Sequence, residues 1–211
     1  MIKNLIIIST VGLLGITGLY AQENKNGQKT AFGLKAGLNF SNVWDAKEQE
    51  FEADGKAGFA GGVFLGIPIV GFLGLQPEIL VSQKGFKGSG TLLGTPYSFN
   101  RTTTYLDVPL QLQINPAKFV TILAGPQISF LLKQNDTYNF GANSVEQEKE
   151  FDNENLRKSI FGFTGGVDFK FNSFLISTKV GWDFQENRED GTSVTPRYKN
   201  QWLQLTLGYI F

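Results

Sequence analysis

Eight long segments of alternating apolar and polar residues constrain the fold of this chain more than any other feature. Alternation with a period of two residues indicates β-strands with two unlike faces. Each segment is long enough for the roughly 9 to 11 residues that a tilted strand needs to cross a bilayer, whereas strands of soluble proteins more often have about 5 or 6. The segments comprise residues 31–40, 58–68, 74–86, 102–114, 119–132, 159–171, 174–185 and 200–211.

The connections between these segments alternate between short and long. The short ones are IVGF, NPAK and NS, and the long ones cover residues 41–57, 87–101, 133–158 and 186–199. This order predicts an all-β, eight-stranded antiparallel up-and-down barrel with both termini at the short-turn end. Outer-membrane barrels have short periplasmic turns and longer extracellular loops. Two long loops are polar and largely acidic, which favours solvated surface loops over a ligand site.

Alternation alone leaves two barrel classes open. In the segment 102–114, Leu106, Val108 and Leu110 lie on one face, and Asp107 and Gln111 lie on the other. The apolar face contacts lipid in a transmembrane barrel, whereas a soluble lipocalin-like barrel turns it inward around a hydrophobic ligand. The first segment, FGLKAGLNFSN, lacks the Gly-x-Trp signature of lipocalins.

Aromatic residues gather at both ends of the segments and favour the membrane alternative. Two aromatic belts are typical of the two interfaces of a bilayer. The predicted belts are Phe72, Phe119, Phe171, Phe174, Tyr209 and Phe211 beside the short turns, and Phe40, Phe59, Phe86, Phe161, Phe184 and Trp202 near the long loops.

Charged residues on the polar register predict a filled lumen. An eight-stranded barrel is only wide enough for its side chains to fill it, so charges inside it must pair with one another. This reading outweighs a catalytic site, and no motif supports a proton or ion path. The predicted lumen network is Lys35, Glu78, Lys84, Asp107, Asp168, Lys170, Lys179 and Asp183.

Three prolines are unexpected in the strands of a closed barrel. Pro77, Pro109 and Pro126 lie inside predicted strands. A closed barrel has no edge at which a missing N–H is harmless, so the sequence predicts bulges or rim positions at these prolines.

The N-terminal residues 1–21 have the features of a cleavable signal peptide. A single Lys precedes an uncharged, largely apolar run from Leu5 to Tyr20, and Ala21 offers a cleavage point. The run is short for a transmembrane anchor and contains three Gly. We expect one domain, residues 22–211, that is exported to the cell outer membrane as a multi-pass protein.

The composition excludes several kinds of chemistry. The chain has no His and no Cys, so Ser-His and Cys-His nucleophilic sites and imidazole or thiolate metal sites are ruled out. Lys+Arg and Asp+Glu balance at 19 each, which does not favour nucleic acid as a partner. We therefore expect a non-enzymatic protein without catalytic, cofactor or metal sites.

Several short motifs occur in a fixed order along the chain: FGLKAGLNFSN, Gln76-Pro77-Glu78 followed by Lys84-Gly85, YLDVPL from Tyr105, Ala124-Gly125-Pro126, and LGYIF at the end. Together they resemble the PorT-like outer-membrane β-barrels that are common in Bacteroidetes. The resemblance covers the whole predicted mature chain and implies an eight-stranded barrel in the outer-membrane lipid of a Gram-negative cell. The family pattern itself includes the strand prolines.

The last strand carries a pattern that resembles the signal read by the barrel assembly machinery. Apolar residues alternate through Leu205, Leu207, Tyr209 and Phe211, although Thr206 departs from the common signal. We expect this machinery as a partner during insertion. The biological role stays open between presentation of long loops for structural or interaction purposes, an accessory task in secretion or transport, and the soluble carrier alternative.

Overall fold

A computed structural model describes residues 30–44, 54–92, 95–140, 143–149, 156–187 and 198–211. The predicted signal peptide, and most of the first and last predicted long loops, lie outside the described residues. No helix in the described ranges has the length and apolar character of a membrane span.

Nine β-strands make up the described structure. Their lengths run from 7 residues in β6 to 23 residues in β4. The strands are β1 (Ala31–Trp44), β2 (Asp54–Val70), β3 (Leu73–Leu92), β4 (Thr95–Ala117), β5 (Val120–Phe140), β6 (Asn143–Lys149), β7 (Ser159–Phe171), β8 (Phe174–Asp183) and β9 (Lys199–Ile210).

Eight of the strands close into an antiparallel ring in the order β1-β2-β3-β4-β5-β7-β8-β9. The ring closes where β1 pairs with β9, from Gly33 opposite Ile210 to Trp44 opposite Lys199. The predicted eight-stranded up-and-down barrel is confirmed. The ninth strand, β6, stands outside the ring and pairs with the end of β5, from Gln134 to Phe140.

Tight turns join the strands at one end of the barrel, as the alternation of short and long connections predicts. Gly71-Phe72, Lys118-Phe119 and Asn172-Ser173 lie between consecutive strands. Gly71 and Asn172 have φ of 53° and 54°, and glycine and asparagine tolerate this left-handed conformation better than other residues. The start of β1 and the end of β9 lie at this end.

The prediction that residues 87–101 and 133–158 are loops is wrong in large part. Strand β3 continues to Leu92, and β4 already begins at Thr95. Strand β5 continues to Phe140, and the chain then returns antiparallel to it as β6. These strands extend beyond the end of β7, whose pairing with β5 stops at Phe130. Above a bilayer both faces of a strand can meet water, so the apolar alternation disappears while the backbone hydrogen bonds remain.

The three strand prolines lie beside gaps in the ladders. Between β3 and β4 the register runs to Pro77 opposite Leu110 and resumes at Leu80 opposite Asp107. Between β4 and β5 the pairing is interrupted after Pro109 opposite Gln127 and resumes in the same register at Leu112 opposite Ala124. A proline has no N–H to donate to the adjacent strand. Each of the three is therefore tolerated beside a gap in the ladder, where that hydrogen bond is not needed. Both predicted arrangements are wrong: the register is the same on the two sides of each gap, so there is no bulge, and all three prolines lie inside their strands.

A β-bulge in β2, opposite Gly85 of β3, shifts the register between these strands, because residues 56–59 of β2 face residues 83–85 of β3. The pairing changes between Gly55 opposite Phe86 and Ala60 opposite Ser82. Gly85 has a φ of 155°, and a Cβ there would lie 2.1 Å from the carbonyl oxygen of Arg101. The Ser41 hydroxyl fixes the bulge, because it accepts from Gly85 N at 2.8 Å and donates to Gly85 O at 2.9 Å.

We expect Gly85→Ala to destabilise the barrel by about 1–3 kcal/mol, because the side chain would force the backbone at this bulge apart. Urea unfolding in lipid vesicles measures the change. Gly71→Ala is the matched control: Gly71 also has positive φ, but nothing lies within 4 Å of its added Cβ. If both variants lose the same free energy of unfolding, the positive φ alone, and not the close approach to Arg101, requires glycine at position 85.

Candidate functional site

The barrel exposes apolar side chains outward and buries polar ones inside. Leu205, Leu207 and Phe169 are exposed, while Gln204, Thr206 and Asp168 from the same strands are buried. This polarity is opposite to that of a lipocalin-like barrel, in which the apolar face surrounds a ligand. The interior is therefore the first candidate site.

Both predicted aromatic belts contain exposed residues, but two members of the second belt face inward. Phe86 is fully buried and Trp202 is 5% exposed. Trp202 is on the polar register of β9, between Asn200 and Gln204, and strand alternation therefore turns it into the lumen. Phe86 is on the inward register of β3, after Glu78, Ser82 and Lys84, so strand alternation turns it into the lumen as well. Placing these two residues in the outer belt is thus wrong.

A buried cluster around Glu78 occupies the middle of the lumen. Lys35 Nζ lies 2.7 Å from Glu78 Oε2, and Lys179 Nζ lies 2.5 Å from Glu78 Oε1. Gln76 Nε2 also donates to Glu78 Oε1 at 2.7 Å, and Lys179 donates to Gln111 Oε1 at 2.6 Å. The three charged groups come from β1, β3 and β8, so this one carboxylate links strands from around the barrel.

A second buried cluster around Asp107 lies further from the short turns. Lys84 Nζ donates to Asp107 Oδ1 at 3.1 Å and to Ser129 Oγ at 3.2 Å. The Ser82 hydroxyl donates to Asp107 Oδ2 at 2.6 Å. The Lys84 ammonium also lies 3.8 Å from the ring centroid of Trp202, a cation–π contact that explains the use of an aromatic residue inside the lumen.

The remaining predicted lumen charges make fewer contacts. Asp183 is buried, and its Oδ2 accepts from Asn200 Nδ2 at 2.6 Å. Asp168 is also buried, and its Oδ2 accepts a 3.4 Å hydrogen bond from Gln76 Nε2. Lys170 is only half-buried and lies in neither cluster; it lines the lumen mouth at the short-turn end with Gln113 and Lys118.

An aromatic and ionic cap closes the lumen at the other end and was missed by sequence reasoning. Arg101 donates from Nε to Asp136 Oδ1 and from Nη2 to Asp136 Oδ2, both at 2.7 Å. The guanidinium lies 5.0 Å from the ring of Phe99, and the ring of Phe86 packs edge-on against Tyr198 at 5.0 Å. A bidentate buried pair among aromatic rings holds the strand extensions together.

The sequence contains a signal that Arg101 faces the lumen, but none that Asp136, its partner, does. The odd positions of β4 face the lumen from Gln113 up to Arg101, so extending that register predicts an inward guanidinium. On β5 the register against β4 shifts between Leu131 and Lys133. The shift moves the inward positions from odd to even, and Asp136 becomes buried only because of it.

The lumen is packed with buried polar and charged side chains, most of which contact one another. Asp168 Oδ1, Asp183 Oδ1 and Gln111 Nε2 are among the buried atoms without a hydrogen-bond partner. The cap and a hydrophobic cluster of Tyr105, Leu131, Leu156 and Ile160 fill its far end. In the part of the chain that the structure describes, no group of three or more acidic residues could hold a metal ion.

Comparison with protein families matches residues 20–187 to the family described as outer membrane protein beta-barrel domain. The chain belongs to this family. This outer-membrane β-barrel therefore resides in the outer membrane of a Gram-negative cell, and its exposed apolar face contacts the lipid bilayer. No match was found among curated protein sequences.

Solved structures of other outer-membrane barrels are similar to this outer-membrane β-barrel at low sequence identity. Ail of Yersinia pestis, in complex with a heparin analogue, has 12% identity and a TM-score of 0.47 over 87% of this chain and 100% of that chain. Neisserial surface protein A has 10% identity and a TM-score of 0.47 over the same shares. OprG from Pseudomonas aeruginosa has 14% identity and a TM-score of 0.36 over 86% and 93%.

Proposed function

We propose that this protein is a non-enzymatic outer-membrane barrel that holds an extracellular β-sheet for contact with partners outside the cell. The observation that carries the proposal is the combination of a lumen filled by buried polar and charged side chains with strands that continue beyond the barrel. A filled lumen favours an anchor over a pore, and strand extensions provide a surface held by the same backbone.

The extension consists of the distal parts of β3, β4 and β5 together with β6. Tyr97, Tyr138 and Phe140 on it are 41%, 42% and 44% exposed. Within the described part of the chain β6 pairs with β5 alone, so its other edge presents backbone donors and acceptors. Exposed aromatic side chains and an open strand edge are both features that protein partners use.

Photo-crosslinking on intact cells tests this proposal. A photoreactive residue in place of Tyr138 is expected to form adducts with proteins or glycans outside the cell, whereas one in place of Phe119, at a short turn, is not. Equal adduct formation at the two ends, or none at Tyr138 across the growth conditions of the host, would contradict an extracellular docking role. The wild-type yield in the outer membrane serves as the folding control.

We expect the purified protein to show no conductance steps above the lipid baseline in planar bilayers, because the Glu78 and Asp107 clusters fill the lumen. Current recordings at 100 mV, with an open porin as the positive control, measure this. Stable single-channel openings in most insertions would mean that water and ions pass the packed side chains, and the anchor proposal would fail.

We also propose membership of the PorT-like group within the family. The residues that carry the resemblance line the lumen: Gln76, Glu78, Lys84 and Asp107 are all buried. The motif thus describes barrel packing, and a role in secretion does not follow from it. Co-purification of secretion components with the protein would favour the accessory alternative over the anchor.

We further propose that the barrel assembly machinery recognises the lipid-facing residues of β9, which are Leu205, Leu207 and Tyr209, with Phe211 after them. All four are exposed, and the Phe211 ring stacks on Phe32 at 5.6 Å across the closing seam. Phe211→Ala is expected to lower the amount recovered in the outer membrane severalfold; Phe119→Ala, exposed at the same end, is the control. Equal recovery of both variants would contradict the proposal.

A further inference from the structure

A row of three buried polar side chains crosses β7, β8 and β9 on the inner wall of the barrel. Asp168 lies directly opposite Ser177, and Ser177 lies directly opposite Thr206. Each of the three residues is 1% exposed. Directly opposite residues of antiparallel strands have Cβ atoms about 4.5–5.5 Å apart, so these three polar groups adjoin one another.

Every member of this row has a polar atom without a hydrogen-bond partner in the described part of the chain. The atoms are Asp168 Oδ1, Ser177 Oγ and Thr206 Oγ1, and no two of them are bonded to each other. The other carboxylate oxygen of Asp168 accepts a 3.4 Å hydrogen bond from Gln76 Nε2. Buried polar groups in proteins are nearly always hydrogen-bonded to protein atoms or to ordered water. One acceptor and two hydroxyl groups in a single row therefore call for a shared polar ligand.

The side chains next to the row do not supply that ligand. Gly37 of β1 lies opposite Thr206 and continues the row around the wall without a side chain. The Lys35 and Lys179 ammonium groups bind the Glu78 carboxylate at 2.7 and 2.5 Å, and neither donates to the unpartnered carboxylate oxygen of the row. A small ligand can therefore lie between the wall and the Glu78 cluster.

The charges around the row favour a neutral ligand. Lys35 and Lys179 carry two positive charges, and both interact electrostatically with Asp168 as well as with Glu78. The two carboxylates balance the two ammonium groups, so an added ion would remain in the lumen as an uncompensated buried charge. Water is neutral and can both donate to a carboxylate and accept from a hydroxyl. A buried water molecule makes about three hydrogen bonds, which is the number of partners that the row offers.

We propose that this row binds ordered water between the barrel wall and the Glu78 cluster. A water molecule donates to Asp168 Oδ1 and accepts from the hydroxyl group of Ser177 or Thr206. It thereby solvates a buried carboxylate that the protein itself contacts only weakly.

The site is connected to the lumen mouth at the short-turn end. Gln113 lines that mouth and donates from Nε2 to Gln76 Oε1 at 2.7 Å. Gln76 in turn donates to Asp168, so polar side chains lead from the mouth to the row. Water enters from this end and stops at the Glu78 cluster, while the cap closes the other end of the lumen.

The direction in which Thr206→Val shifts the urea midpoint of unfolding tests the site. Valine keeps the shape of threonine but removes the hydroxyl group. If water is bound, the variant loses a hydrogen bond to it and unfolds at a lower urea concentration than the wild type. An unchanged or higher midpoint would overturn the proposal, because removing a buried hydroxyl group without a partner costs nothing.

Thr121→Val is the matched control for this measurement. The Thr121 hydroxyl is also buried, but it donates directly to Asn115 Oδ1 at 2.7 Å. The loss in this variant sets the size of the shift that belongs to one hydrogen bond, and we expect the shift in Thr206→Val to be similar. Retention of the gel-mobility shift on boiling verifies that both variants are folded.

A high-resolution crystal structure of the wild-type protein identifies the ligand. We expect a density peak within hydrogen-bond distance of Asp168 Oδ1 and of the Ser177 or Thr206 hydroxyl group. A direct hydrogen bond from Ser177 to Asp168 with no such peak would overturn the proposal. A urea midpoint that falls when choline chloride replaces sodium chloride at equal ionic strength would identify a bound cation instead, and would also overturn it.

Discussion

Glu78→Gln is expected to lower the free energy of unfolding by about 3–5 kcal/mol. The Glu78 carboxylate lies within 2.7 Å of the ammonium groups of both Lys35 and Lys179, and all three side chains are almost completely buried. A neutral amide would leave two buried cations without the carboxylate that both of them contact. Removing one partner from a buried ionic group leaves a desolvated charge without compensation, which is the costly case.

Urea titration of the vesicle-embedded protein, followed by tryptophan fluorescence, measures this loss. Lys170→Gln is the matched control, since Lys170 is only half-buried and lies outside the cluster; a change within about 0.5 kcal/mol is expected. The triple variant Lys35→Met, Glu78→Leu, Lys179→Met removes all three charges together and is expected to be far less destabilised than Glu78→Gln. A Glu78→Gln barrel as stable as the wild type would mean that water solvates the lumen cations.

Arg101→Gln is expected to open the extracellular extension while the barrel remains folded. The guanidinium makes two 2.7 Å hydrogen bonds to Asp136, and both residues are buried beneath Phe86, Phe99 and Tyr198. Without the planar cation, the Asp136 carboxylate is left buried among aromatic rings, at a cost of about 3–5 kcal/mol to the closed form. Arg101→Lys is expected to restore this only in part, because an ammonium lacks the planar fork.

Proteinase K treatment of intact cells measures the opening. The Arg101→Gln protein is expected to be cleaved between β3 and β6 at least tenfold faster than the wild type, with the gel-mobility shift of the barrel retained. Ser98→Ala is the matched control on the same strand; it removes one part-buried hydrogen bond from Asn139 and is expected to change cleavage little. Cleavage of Arg101→Gln at the wild-type rate would show that the strand pairing alone holds the extension.

The regions where sequence reasoning failed share a physical cause. Apolar alternation records contact with lipid, so it ends where the bilayer ends, although β4 continues to Thr95 and β5 to Phe140. Alternation also assumes an unbroken register, which the shift beside Leu131 violates. These features depend on contacts between strands that are distant in the chain.

The sequence by itself determined that this protein is an eight-stranded barrel whose strands each have an apolar and a polar face, because a two-residue repeat can be read residue by residue. The aromatic residues at the strand ends favoured the apolar face outward, and the structure confirmed it. Only the tertiary structure decided which charges meet. Glu78 is joined to Lys35 and Lys179, and Arg101 to Asp136, by the closure of the ring and by the stagger of its strands. Those two geometric properties belong to the assembled sheet, and no single strand contains them.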